Sequence, residues 1–255
     1  MGQQRESVFF YTFHKCASSL FSGFALKKAR GLAHVDYASE IYNDTLQGDV
    51  RIESRGKLYG PIRLTVDPDS PVHARLVKPL SQPDWIKNRK AVFLIRDPRD
   101  ILVSQYYSFG WSHGLSKNKI IRERQVASRE KIQNVSIDEY VLEASAHLQH
   151  AYSQLSRLHD FCDNSVLIKF EDMVNRWNVF EEGLNRLLDF DRGDLDEIYR
   201  RSRPRTKEDT ASHRRHGGSG AYREKFTQET IALLNTQFAE HLEKYDYCDD
   251  SRSPS

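Results

Sequence analysis

Residues 91–95 form an uninterrupted apolar run, Ala-Val-Phe-Leu-Ile, which Arg96 ends. A strand without polar positions is buried on both faces, and this is typical of a parallel sheet covered by helices on each side. Further short runs rich in apolar, aromatic and β-branched residues cover residues 8–13, 33–37, 74–78 and 165–170. Together the five runs predict a central, mostly parallel five-stranded sheet.

Helical patterns separate these runs. They cover residues 18–30, 98–109, 137–161, 174–188 and 228–245. Lys27, Lys28 and Arg30 crowd the last turn of the first predicted helix, where cations favour the helix dipole, and Gly31 can supply the left-handed cap. Strands that alternate with helices indicate an α/β fold in which helices flank the sheet on both sides.

The length of 255 residues fits one domain, which we predict over residues 1–248. Two stretches resist assignment: residues 48–73, which are rich in glycine and proline, and the charged residues 112–136. Such insertions often shape the substrate pocket of an α/β enzyme, although a mobile solvated loop is an equal alternative for each. Residues 249–255 are predicted to be a disordered tail.

Charge and cysteine content exclude several classes of protein. The net charge of +2 argues against a nucleic-acid-binding protein, but residues 200–225 hold nine Lys or Arg against three acids, which favours a compact polyanion. Cys16, Cys162 and Cys248 are scattered, so neither a disulfide framework nor a metal site is predicted. No stretch is apolar enough for a signal peptide or a membrane span. We therefore expect a cytoplasmic protein without a membrane partner.

The junction between the first strand and the first helix predicts an anion site. Lys15 follows the strand, a turn of small residues comes next, and Ser18 and Ser19 open the helix. Backbone N–H groups and hydroxyls at such a junction suit a phosphate or sulfate. A nucleotide triphosphatase loop needs glycines that residues 8–22 lack, and a cysteine phosphatase needs an arginine where Ser22 stands. An ordinary strand-turn-helix with a serine cap remains the alternative.

A second junction identifies a family. Arg96 and Ser104, eight residues apart, match the pattern R-[ND]-P-[KR]-D-x-x-x-S, which closely resembles the 3′-phosphate site of sulfotransferases that use 3′-phosphoadenosine-5′-phosphosulfate (PAPS). Residues 215–227 resemble the carboxyl-terminal R-K-G-x-x-G segment of the same family, since Arg215 and Gly217 match, although His216 departs. Residues 166–173 are also similar, with Phe170 where an adenine-contacting tyrosine often stands.

The resemblance implies a metal-independent sulfotransferase with the P-loop-like fold of that family, which releases adenosine 3′,5′-bisphosphate (PAP). It implies that Lys15 contacts the oxygen that bridges phosphate and sulfate. The implied PAPS-binding residues are Lys15, Cys16, Ala17, Ser18, Ser19, Leu20, Arg96, Ser104, Phe170, Arg215, His216 and Gly217.

The sequence offers several candidates for the general base that takes the proton of the acceptor. Cytosolic members of the family often use a histidine in a K-T-H segment, and the similar stretch here keeps Lys78 but has Leu80 in place of the histidine. Other branches use a carboxylate about twenty residues after the phosphosulfate loop, which favours Asp36 and then Glu40, although a carboxylate that only ends a strand or caps a helix is an equal alternative for Asp36. The predicted catalytic residues are Lys15, Asp36 and Lys78, while His14 and His73 are weaker candidates for the base.

The expected acceptor is a small molecule with a hydroxyl or amine. Only Thr227 matches the dimer motif of cytosolic relatives, so the oligomeric state stays open, and Leu20 replaces a tryptophan that often stacks on adenine. Two other functions remain possible at this point. One is a non-catalytic PAPS- or PAP-binding protein, and the other is a kinase-like nucleotide phosphotransferase, which would need magnesium ligands and a glycine-rich loop.

Overall fold

A parallel five-stranded sheet forms the centre of the computed structural model, which describes residues 4–203 and 218–248. The spatial order of the strands is β2-β3-β1-β4-β5, and every neighbouring pair is parallel. The strands are β1 (Val8–Thr12), β2 (Ala33–Val35), β3 (Lys57–Arg63), β4 (Lys90–Ile95) and β5 (Asn164–Lys169). The predicted α/β fold with a mostly parallel five-stranded sheet is therefore confirmed.

Helices flank the sheet. They are α1 (Ser18–Gly23), α2 (Tyr37–Tyr42), α3 (Lys78–Leu80), α4 (Pro83–Ile86), α5 (Pro98–Tyr107), α6 (Lys119–Gln133), α7 (Ile137–Phe161), α8 (Phe170–Asn175), α9 (Trp177–Asn185), α10 (Arg192–Ser202), α11 (Tyr222–Lys225), α12 (Gln228–Gln237) and α13 (Ala239–Lys244). A short 3-10 helix covers Ala25–Lys28, and single π-helical turns cover His73–Val77 and Ser108–Ser112. None of the helices described is both long and apolar enough to cross a bilayer.

The strand predicted at residues 74–78 is wrong, because this segment is helical. Leu76, Val77 and Leu80 are buried at helical spacing while Ala74 and Lys78 are exposed. The missing strand is β3, which lies inside the segment 48–73 that the sequence assigned to an insertion.

The Gly60-Pro61 pair is the reason that the sequence did not predict β3 as a strand. Proline donates no hydrogen bond and argues against a central strand. The register between β1 and β3 shifts at this pair, since Phe9 is opposite Tyr59 but Tyr11 is opposite Ile62. This irregularity lets the sheet accommodate the proline.

A buried polar network fixes the start of α5 beneath the carboxyl edge of the sheet. Asp97 caps α5 and forms an ion pair with Arg99 at 2.6 Å, and Arg99 also donates to Asn235 Oδ1 at 2.8 Å. The backbone N–H of Asp97 donates to Glu171 Oε1 at 2.9 Å, and the Tyr247 hydroxyl donates to Glu171 Oε2 at 2.8 Å. Buried charges are tolerated only when they are paired in this way, so the network ties α5 to α8 and the carboxyl-terminal helices.

The network makes a prediction about stability and pH. Burial raises the pKa of Glu171 from 4.5 to about 7. The folded protein therefore binds this proton more tightly than the unfolded chain does, so the contribution to stability is largest below pH 4.5 and is lost as pH rises through about 7. Glutamine stays neutral while Glu171 loses its proton as pH rises. We therefore expect the free energy of unfolding of Glu171→Gln, relative to that of wild type, to increase by about 1–3 kcal/mol from pH 5 to pH 8.

Urea unfolding at both pH values measures this difference. Glu229→Gln, which removes an exposed carboxylate, serves as the matched control and should follow the wild type. A Glu171→Gln protein with the pH dependence of the wild type would contradict the assignment.

Candidate active site

A cleft of about 1180 Å³ opens at the carboxyl edge of the sheet. Its walls come from the turn after β1, the end of β3, the helices α5 to α8 and the segment that follows residue 217. Ligand sites of open α/β sheets lie at this edge, where loops from several strands converge. The location alone favours the cleft as the active site.

The turn after β1 exposes several donors. Lys15 has a φ of 68° and Ala17 a φ of 52°, which is the left-handed region that residues other than glycine seldom occupy. Left-handed residues within a tight turn direct successive N–H groups into one concave surface, which suits an anion. Five of the residues predicted to bind PAPS line the cleft here: Lys15, Ala17, Ser18, Ser19 and Leu20.

Cys16 is the exception in this turn. Its side chain is fully buried in the core and is not among the described residues that line the cleft. Burial raises the pKa of its thiol to about 12, so the start of the helix does not activate it. Only the backbone of Cys16 can therefore contribute to an anion site.

Lys15 extends its ammonium group across the cleft. Its Nζ donates to Ser108 Oγ at 2.9 Å, at the junction between α5 and the turn Ser108–Ser112. This contact holds the ammonium between the turn after β1 and the far end of α5.

Arg96 connects three separate parts of the chain. Its Nη1 donates to the Lys15 carbonyl at 2.8 Å, and its Nη2 donates to the Gly218 carbonyl at 3.0 Å. The guanidinium lies 4.2 Å from the ring centre of Phe170. Arg96 is only 7% exposed, and within the described residues its buried Nε has no hydrogen-bond partner. A strongly basic group with a spare donor at a cleft wall fits an anionic ligand.

The start of α5 and the segment after residue 217 complete this wall. Ser104, Phe170 and Arg96, three of the predicted PAPS-binding residues, all line the cleft. Asp100 accepts from the N–H of Gly220 at 2.6 Å and from the N–H of Tyr222 at 3.2 Å, which fixes the segment against α5. The predicted residues Arg215, His216 and Gly217 lie outside the described residues.

The predicted catalytic residues Asp36 and Lys78 do not line the cleft, as far as the described chain defines it. Asp36 caps α2, where its Oδ1 accepts from the Ser39 N–H at 2.9 Å. Lys78 is exposed on a helix, because the segment that contains it is not a strand. Glu40 borders a separate shallow groove near Arg51.

His14 and Arg63 are the site residues that sequence reasoning undervalued or missed. His14 lines the cleft beside Lys15, and its Nδ1 lies 2.9 Å from Thr65 Oγ1. Burial lowers the pKa of His14 well below 6.5, and the cationic neighbours Arg63 and Lys15 lower it further. The imidazole is therefore neutral at physiological pH. Arg63 ends β3 on the cleft wall, and it was missed because β3 was assigned elsewhere.

The donors of the cleft form two groups, each of which suits an anion. Lys15, Ser18 and Ser19 offer an ammonium and hydroxyls at one place, and Arg96 and Ser104 offer a guanidinium and a hydroxyl at another. Because Arg96 contacts the Lys15 backbone directly, the two groups of donors are adjacent. Among the described residues, no group of three or more His, Cys, Asp or Glu side chains is arranged to hold a metal.

Solved structures share this architecture. The crystal structure of mouse sulfotransferase SULT7A1 complexed with PAP aligns over 97% of this chain and 87% of its own, with a TM-score of 0.50 and 15% identity. At this identity the similarity supports the fold alone.

Retinol dehydratase is a more distant match in two crystal structures, one with retinol and PAP and one with androsterone and the inactive cofactor PAP. Each has 14% identity and a TM-score of 0.42, covering all of this chain and 85% or 84% of the other. No curated protein matches the sequence.

Membership of a family is decided by the sequence model described as "Sulfotransferase domain". It matches residues 65–246, which is well over half of the chain and includes Arg96, Ser104 and the carboxyl-terminal segment. The protein therefore belongs to the sulfotransferase domain family, as the resemblance of its sequence motifs implied.

Proposed function

We propose that the protein transfers the sulfuryl group of PAPS to a hydroxyl or amine of a small-molecule acceptor and releases PAP. Its family makes it a PAPS-dependent sulfotransferase, so the proposal concerns the acceptor and the residues that act. The observation that carries it is the position of Arg96, whose guanidinium contacts the backbone at both Lys15 and Gly218. A single cleft then offers donors to both ends of the nucleotide.

The proposed residue roles follow from these donors. Arg96 and Ser104 would hold the 3′-phosphate, with Arg215, His216 and Gly217 closing over it, and Phe170 would contact adenine. Lys15, Ser18 and Ser19 would hold the 5′ end, where PAPS supplies the sulfuryl group. Negative charge grows on the leaving oxygen during such a transfer, and donors that are fixed in advance stabilise it without reorganisation. Among the donors proposed for the 5′ end of the nucleotide, Lys15 is the charged group, and Ser108 already holds its ammonium in place.

We expect Lys15→Ala to lower kcat by at least ~100-fold, the usual cost of losing one such donor. Lys78→Ala is the matched control, because Lys78 is an exposed lysine away from the cleft wall. The kcat of Lys78→Ala should stay within ~3-fold of wild type if the catalytic role predicted for both lysines belongs to Lys15 alone. Radiolabelled transfer from PAPS to a panel of phenols and alcohols measures both. A Lys15→Ala enzyme within ~3-fold of wild type would contradict the proposal, and PAP binding without transfer to any acceptor would favour a non-catalytic binding protein.

We further propose His14 as the general base, in preference to Asp36. A general base must be unprotonated and within reach of the acceptor. What supports His14 is its position on the cleft wall next to Lys15 and its lowered pKa, since both favour a neutral imidazole facing the cleft. Asp36 instead has its Oδ1 occupied as a helix cap.

We expect His14→Ala to lower kcat by about 100-fold, the lower range for the loss of a general base. Asp36→Asn removes the carboxylate but keeps a side chain that caps helices equally well, so it should stay within ~5-fold of wild type. Because burial lowers the pKa of His14, kcat/KM should stay level as pH falls to 6.5 and decline only below it. The reverse order of the two variants, or a decline with an apparent pKa above 6.5, would contradict the assignment.

A further inference from the structure

Arg63 presents an unused positive charge to the cleft. It ends β3 opposite Thr12 of β1, directly beside the turn that carries Lys15, and it lines the cleft while partly buried. Within residues 4–203 and 218–248, its guanidinium makes no hydrogen bond and no ion pair. A partly buried cation without a partner is unfavourable, which points to an anionic ligand.

The charge of Asp36 acts on Arg63, but the Asp36 carboxylate accepts no hydrogen bond from the Arg63 guanidinium. Burial lowers the pKa of Arg63, and the charge of Asp36 opposes this effect from a distance. Asp36 uses Oδ1 to cap α2, and the two side chains form no ion pair. The guanidinium therefore keeps its hydrogen-bond donors available on the cleft side.

A second guanidinium strengthens the positive charge of the same region. Arg129 on α6 lines the cleft and donates to the backbone carbonyls of Phe109 and His113, and no described carboxylate pairs with it. The acidic side chains nearby are already paired: Asp67 contacts Arg124 at 2.8 Å, and Glu143 contacts Lys131. This part of the wall thus carries more cations than anions.

The walls around these cations are largely apolar. They include Val66, Val72, Phe109, Leu115, Ile121 and Tyr140. These residues come from the region after β3 and from the segment that runs from the end of α5 to the first turns of α7, away from the residues proposed to hold the nucleotide. An apolar pocket with one convergent charge selects a ligand of matching shape and charge.

We propose that the acceptor is an apolar hydroxy compound that bears a carboxylate, and that Arg63 binds this carboxylate. The inference rests on the proposed sulfotransferase function and specifies its acceptor. The planar guanidinium can donate two parallel hydrogen bonds to a carboxylate, which fixes the orientation of the acceptor as well as its charge. The hydroxyl of such an acceptor would then be directed toward His14 and Lys15.

Calorimetry on the PAP-loaded protein tests this proposal without depending on turnover. The probes are 3-(4-hydroxyphenyl)propanoate and its methyl ester, which differ in one negative charge. We expect the acid to bind wild type at least about 10-fold more tightly than the ester, which is the scale of a charge-assisted hydrogen bond. In Arg63→Gln the ratio should fall to about 1–2, and in Arg63→Lys it should be intermediate. Arg122→Ala, an exposed arginine of α6, changes the net charge equally and should keep the preference.

Each outcome decides the proposal. Equal binding of acid and ester to wild type, or a preference that survives Arg63→Gln, would overturn it. An equal loss of kcat/KM for acid and ester in Arg63→Gln, together with weaker PAP binding, would assign Arg63 to the nucleotide and also overturn it. Failure of wild type to bind PAP at all would remove the proposed function as well, whereas PAP binding without a preference for the acid would remove this inference alone.

Discussion

The cleft depends on the two hydrogen bonds that the Arg96 guanidinium donates to backbone carbonyls. One carbonyl belongs to Lys15 after β1, and the other belongs to Gly218 in the carboxyl-terminal segment, more than two hundred residues away. Neither partner is charged, and Phe170 covers the guanidinium face. The positive charge of Arg96 is therefore not cancelled by the contacts that hold it, so it remains available to a ligand. The network of Asp97, Arg99 and Glu171 keeps the start of α5 in place around this residue.

The cations of the cleft influence one another. Burial lowers the pKa of His14 most, and the charges of Arg63 at the end of β3 and of Lys15 after β1 lower it further, so the imidazole stays neutral. A neutral imidazole can accept a proton, whereas a protonated one would only add to the positive charge. The same crowding explains why an anionic ligand is expected on both sides of His14: the donor nucleotide near Lys15 and, by our inference, a carboxylate near Arg63.

Sequence patterns predicted four of the five strands and the turn after β1, because those features rest on local spacing. The buried strand β4, the turn after β1 and the eight-residue interval from Arg96 to Ser104 each leave a direct trace in the sequence. The cleft wall at the end of β3 was not predicted. Gly60 and Pro61 argue against a strand at this position, so the strand was assigned to residues 74–78 and Arg63 was missed.

Other differences arise from side-chain direction, which spacing does not determine. Cys16 lies in the predicted loop, but its side chain points into the core. Asp36 stands at the end of β2 as predicted, but its carboxylate caps the following helix. Residues 112–136, for which a pocket-shaping insertion and a solvated loop were equal alternatives, contain all of α6 and contribute Ile121 and Arg129 to the cleft wall.

The central claim is that one cleft holds both anionic ends of an adenosine nucleotide. Calorimetry with PAP, adenosine 5′-monophosphate and adenosine 3′-monophosphate tests it most directly, since each monophosphate lacks one of the two groups. We expect PAP to bind at least about 10-fold more tightly than either monophosphate, because each phosphate has its own donors. Equal affinity of PAP and one monophosphate would show that only one end is bound and would contradict the account.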